Sequence, residues 1–173
     1  DLTNFSLNES GGSVQEFFYI WDPKLTNVSA STYGLGGFQV LSRNGNTYDV
    51  TPGGGSYGNS TSVIQSGQAF FVNAPFTPGT VKFTEACKVE GSSIVNRVDN
   101  LVIGKRLRTN LSVLRSGEPI LLDGNLLQFD ATFKDSVDAM DALKFTNAGE
   151  NCGLKRYGKL LSVERCPLIQ TTD

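Results

Sequence analysis

The 173-residue chain contains no histidine, a single tryptophan, a single methionine and three cysteines. Without histidine there is no imidazole to act as general base, to complete a Ser-His-Asp triad or to supply the commonest nitrogen ligand for zinc. Charge of one sign is also lacking. The net charge is −2 with both signs scattered, which leaves no basic footprint for nucleic acid or an anionic membrane. Apolar runs such as Ile120-Leu121-Leu122 are far too short to cross a bilayer as a helix, so membrane insertion is not expected. No basic region followed by an apolar stretch opens the chain. It starts at Asp1 rather than Met, the pattern of a mature or excised fragment.

What is present repeats with period two. Leu107, Leu111 and Val113 alternate with Arg108, Asn110 and Ser112, and Leu127, Phe129, Ala131 and Phe133 alternate with Gln128, Asp130, Thr132 and Lys134. Val81 and Phe83 do the same between Thr80, Lys82 and Thr84. Alternation of this kind sets one face of a strand on a core and the other in water, as in layered antiparallel sheets. Asn44-Gly45 and Asp123-Gly124 are expected to turn hairpins, and Pro52-Gly53-Gly54-Gly55 and Pro78-Gly79 are further breaks. Only Asp135 to Phe145 has helical spacing, through Val137, Met140 and Leu143 or Lys144.

The aromatic run Phe17-Phe18-Tyr19-Ile20-Trp21 reads as a buried strand whose last ring closes the edge of a sandwich. Asp22-Pro23 then stops the ladder, because proline has no N–H for the next rung. The expected core comprises Phe18, Ile20, Phe71, Leu111, Val113, Phe129 and Phe133. Fewer apolar positions between residues 87 and 104 place a boundary there. The expected architecture is therefore all-β, an antiparallel β-sandwich of jelly-roll-like type, as one large or two closely packed units. The units would be residues 1–88 and 89–173, with a shared core left open.

Few groups suggest chemistry. The glycines of residues 53–58 are not followed by Gly-Lys-Ser/Thr, so they form a hairpin loop rather than a phosphate loop. Asp135, Asp138 and Asp141 recur every three residues, yet lack the ligand spacing and central glycine of an EF-hand, and a solvated acidic turn fits better than calcium. No carboxylate pair stands out as a glycosidase pair. Asn-x-Ser/Thr occurs at Asn4, Asn8, Asn27, Asn59 and Asn110, acceptors of N-linked glycan only in a eukaryotic secretory setting. Cys152 and Cys166 bracket a hairpin and are a candidate disulfide, with three reduced thiols as the alternative. No catalytic residue, cofactor or metal site is assigned.

Several segments taken in order resemble the C-terminal region of large secreted surface proteins of Bacteroidetes, the part before the sorting domain of the type IX secretion system. They are "FFYIWDPKL", "YGLGGFQVL", "VIQSGQAFFVNA", "RLRTNLSV", "LLQFDATFKDSVDAMDALKFTN" and "KLLSVERCPL". In the family the third reads Ile-x-x-Gly-Gln-x-Phe-Phe-Val. Here Gly67 is expected to bend the strand entry and Gln68 to bond loop backbone. The family's Asp-Ala-x-Lys corresponds to Asp141 to Lys144, read as an opposite-charge pair holding a crossover. The Asn-Pro-Tyr-Pro stretch often found before Trp-Asp-Pro is missing, as is the sorting domain downstream, so a fragment of a longer polypeptide is expected. The resemblance implies export to the cell surface or beyond, a β-sandwich and a non-enzymatic role. Asp135-Ser136-Val137 resembles the acceptor for O-linked sugars in the same bacteria, which makes Ser136 a candidate modification site.

The expected function is an extracellular structural or adhesive module, forming a stalk or filament. Its partners would be neighbouring domains of the same polypeptide or identical subunits, met through sheet edges. The competing expectation is a carbohydrate-binding module in which Tyr33, Tyr48 and Tyr57, from glycine-rich loops, stack on surface glycans.

Overall fold

The computed structural model describes residues 1–25, 36–90 and 105–168. They fold as an all-β sandwich of two five-stranded sheets with a small ribbon alongside. Among the described residues there is no α-helix, only a 3-10 turn at Glu85–Cys87. The ribbon pairs β1 (Ser6–Leu7) with β7 (Val81–Lys82). The N-terminal sheet is built from β2 (Phe17–Asp22), β3 (Gly37–Asn44), β4 (Thr47–Gly54), β5 (Gly58–Thr61) and β6 (Phe70–Phe71), in the order β5-β4-β3-β2-β6. The C-terminal sheet is built from β8 (Lys105–Arg115), β9 (Glu118–Phe129), β10 (Ala142–Leu143), β11 (Leu154–Arg156) and β12 (Lys159–Cys166). Its order is β10-β12-β9-β8, with β11 also on β12. Every pairing within the two sheets is antiparallel except β9 with β12, which run parallel.

Strand β2 lies between β3 and the edge strand β6 and is buried on both faces, so its aromatic run does not alternate with polar residues. Phe17 and Tyr19 face the C-terminal sheet and share a core with Val40, Leu126, Ala142 and Val163. Tyr19 stacks on Phe145 at 4.0 Å between ring centroids. Phe18 and Ile20 face away and pack with Leu2, Leu41, Tyr48, Val50 and Tyr57, a core roofed by Phe5, Phe70 and Val81. Both halves of the chain thus contribute to the core between the sheets. Trp21 is half-buried and meets Phe38 edge-on at 5.0 Å.

Asp22 explains the abrupt end of that strand. Its carboxylate is fully buried and accepts the Ser56 N–H and hydroxyl at 2.5 and 2.8 Å, and the Lys24 N–H at 2.9 Å. The hairpin between β4 and β5 is held in this way. A Cβ at Gly55, where φ is +65°, would lie 2.3 Å from the Asp22 Oδ2, so the turn closes only over glycine.

Several expectations are corrected. Asp123-Gly124 does not turn a hairpin. It lies inside β9, while Ser116-Gly117, with φ of 54° and 86°, makes the turn from β8. Gly124 instead lets the layers approach, since a Cβ there would stand 2.5 Å from the Thr109 carbonyl and 3.0 Å from Pro52. Residues 135–145 form turns and the short β10, not a helix. Asn44-Gly45 does open the β3–β4 hairpin.

Phe18 and Ile20 lie in the core, whereas Phe71, on a two-residue edge strand, is 56 % exposed. Its neighbour Phe70 turns inward instead. Leu111, Val113, Phe129 and Phe133 are only half-buried. In β8 the alternation is real, but its sense is reversed. Arg106, Arg108 and Asn110 point at the N-terminal sheet, because β4 offers them the Asp49 carboxylate and the carbonyls of Val50 and Gly53. Leu107, Leu111 and Val113 are left on the outer face, and Leu107 is 57 % exposed.

Candidate functional site

The two sheets meet along a seam that is apolar at one side and charged at the other. Asp49, on β4, is buried and sits at the centre of the charged side. Its carboxylate accepts from Arg106 of β8 at 2.5 Å, from Gln128 of β9 at 2.9 Å and from Asn44 of β3 at 3.1 Å. Gln128 passes the network on, its Oε1 accepting the Arg165 Nε–H at 2.6 Å. The remaining Arg165 contacts are to the carbonyls of Arg43 at 2.8 Å and Met140 at 3.4 Å. Its guanidinium lies over the Phe17 ring, 5.6 Å from the centroid. A planar cation of this kind tolerates an aromatic face and carbonyl partners better than an ammonium would.

Beside this seam, Glu16 accepts from Arg43 at 2.6 Å and from the Tyr48 hydroxyl at 2.9 Å. Burial and the neighbouring carboxylate hold the Tyr48 phenol far above its ordinary pKa. The seam opens at one end of the sandwich into a cleft of about 360 Å³, bordered by Arg43, Lys105, Arg106 and Arg165 together with Phe129 and Phe133. The cleft brings together cations and aromatic rings.

Tyr48 and Tyr57 lie elsewhere. Tyr48 is 1 % exposed, and its phenol oxygen lies 3.2 Å from the Leu2 carbonyl oxygen. Tyr57 is a member of the core beneath the N-terminal arm. Neither ring can stack on a sugar, because both are buried in the core to which Leu2 and Phe5 of the N-terminal arm contribute. Tyr33 lies outside the described residues. Exposed rings are found instead at Phe76 and Tyr157.

All three cysteines are free. Cys166 is opposite Phe129, and Cys152 lies 3.3 Å from the Asn125 amide, four residues back along β9. At ~3.3 Å per residue that is about 13 Å of strand, beyond the ~7 Å between Cα atoms that a disulfide spans. Ser136 is exposed. Asp135 pairs with Arg156, Asp138 accepts the Met140 N–H and Asp141 accepts the Asp138 and Arg165 N–H groups. Among the described residues no three Cys, Asp or Glu side chains converge as metal ligands. Lys144 pairs with Asp123 rather than Asp141. The Gln68 amide does bond loop backbone at Ala69, and it also reaches the Trp21 carbonyl in β2 at 3.5 Å.

Sequence reasoning overlooked Arg106, Arg108, Arg165 and Asp49. The available signal was the pair of arginines two residues apart in a strand. Both must share a face, and opposite apolar neighbours suggested that face was water. Comparison of the chain with protein-family models, curated proteins and solved structures finds no match.

Proposed function

We propose that the chain is a non-enzymatic structural or adhesive module of a secreted surface protein, assembled through the outer face of its C-terminal sheet. The observation that supports this reading is the reversed sense of β8. Leu107, Leu111 and Val113 form an outward row that continues into Leu127 of β9, the register partner of Leu107. Among the described residues, strand β8 is also the edge of its sheet. A row of apolar side chains beside unpaired backbone groups is a template for a further β layer. The occupant is a neighbouring β domain of the same polypeptide or an identical subunit, placed outside the cell, as the resemblance of the strand segments implies.

Sedimentation of the 173-residue protein over a range of concentrations tests the reading. Reversible self-association, weakened by Leu107→Glu with no loss of folded structure, is the expected result. A monomer at every concentration, with the β8 amides protected in hydrogen exchange, would show the edge to be already covered and end the proposal.

A further inference from the structure

The cleft at the end of the charged seam carries more donors than its own acceptors use. Its wall holds four cations, Arg43, Lys105, Arg106 and Arg165, and two carboxylates, Glu16 and Asp130. Both carboxylates are already engaged. Glu16 takes Arg43 and the Tyr48 hydroxyl, and Asp130 takes the Thr132 N–H and hydroxyl at 2.9 and 2.7 Å. Asp49, behind the wall, balances Arg106. Among the described residues, Lys105 and Arg165 have no carboxylate within ion-pairing distance.

Arg165 is the unusual member. It is 8 % exposed, and the three acceptors of its guanidinium are all neutral oxygens, while its backbone N–H donates to Asp141. A buried guanidinium with no carboxylate in contact is costly: burial pushes its pKa down against the more distant pull of Asp49, Asp141 and Glu16. An anion in the cleft offsets that cost. Inorganic anions would satisfy the charge but not the rest of the lining, where Phe129, Phe133 and Met140 present apolar surface. The volume, about 360 Å³, is at the small end of the range for small-molecule sites.

We infer that this cleft binds a small organic carboxylate about one ring in size. Its carboxylate is held by Lys105, Arg106 and Arg165, and its ring lies against Phe129 and Phe133. A uronic acid unit of an acidic glycan and a free cyclic carboxylic acid share this chemistry. The inference does not depend on how the module assembles.

Calorimetric titration of the whole 173-residue protein at low ionic strength with glucuronate, benzoate, glucose and sulfate tests it. Binding of at least one carboxylate, with no binding of glucose and sulfate at least ~10-fold weaker, is expected. Preference for glucuronate identifies the sugar source, and preference for benzoate the free acid. Lys105→Glu lies on exposed surface, and Arg106→Gln leaves Asn44 and Gln128 on Asp49. Each should weaken carboxylate binding by about tenfold or more, at an unchanged unfolding temperature for Lys105→Glu. Failure of both carboxylates to bind, sulfate binding equally well, or unchanged affinity in both variants overturns the inference.

Discussion

Asp123 and Lys144 form an ion pair whose side chains are both withdrawn from solvent, at 0 % and 1 % exposure. Asp123 also accepts the Cys152 N–H at 2.6 Å, so one carboxylate ties β9, the segment just after β10 and the loop before β11 together. Removing one partner of a buried pair strands the other charge, at a cost of ~3–5 kcal/mol. Lys144→Met should lose stability by that order in urea unfolding. A loss under ~1 kcal/mol would mean that water reaches Asp123.

Asp22→Ala should cost about 2–3 kcal/mol, because it orphans the N–H groups of Ser56 and Lys24 and the Ser56 hydroxyl. Gly55→Ala should act through the same contact, so the double variant should lose less than the sum of the two. Additive losses in denaturant titrations would separate the strand end from the hairpin.

Phe18 is fully buried and touches four other rings, whereas Phe129 is half-buried at the cleft mouth. Phe18→Ala should therefore cost ~3–5 kcal/mol and Phe129→Ala distinctly less. Equal losses would place Phe129 in a closed core.

Burial raises the Asp141 carboxyl above its ordinary value of 3.8. The folded protein then keeps this proton at pH values where the unfolded chain has lost it. The resulting stabilisation is full below the unfolded pKa and disappears as pH rises through the higher folded value. Asp141→Asn removes the titration, so the stability of the natural protein relative to this variant should fall across that window. Urea unfolding at a series of pH values checks the slope, and a flat or rising difference contradicts it.

Peptide mapping without reductant should recover Cys152 and Cys166 as unlinked thiols. In the folded protein Cys152 should react with a thiol reagent first, because Cys87 and Cys166 are buried and burial raises the Cys166 thiol pKa. A Cys152–Cys166 peptide would overturn the register of β9 against β12.

The fold class was legible because period two and turn chemistry are local properties of the chain. Asn44-Gly45 accepts the turn that its own backbone favours, and Pro23 follows the end of β2, whereas Pro52, expected to break the chain, lies inside β4 and Pro119 inside β9. The site was not legible. Asp123-Gly124 has the composition of a turn, yet the neighbouring Ser116-Gly117 took that role, and the competition between the two was decided by pairing along β8. Tyr48 and Tyr57 sit in turn-rich sequence, but the N-terminal arm supplies Leu2 and Phe5 to cover them, a contact between residues far apart in the chain.

By itself the sequence determined that the chain forms strands, where the aromatic one stops, and that β8 has one apolar and one polar face. Alternation distinguishes two faces and does not say which of them meets a partner. That choice belonged to tertiary structure. The Asp49 carboxylate and the β4 carbonyls lie opposite β8, and they satisfy arginines that would otherwise need water. Charge was thereby drawn into the seam, and leucine and valine were left outside.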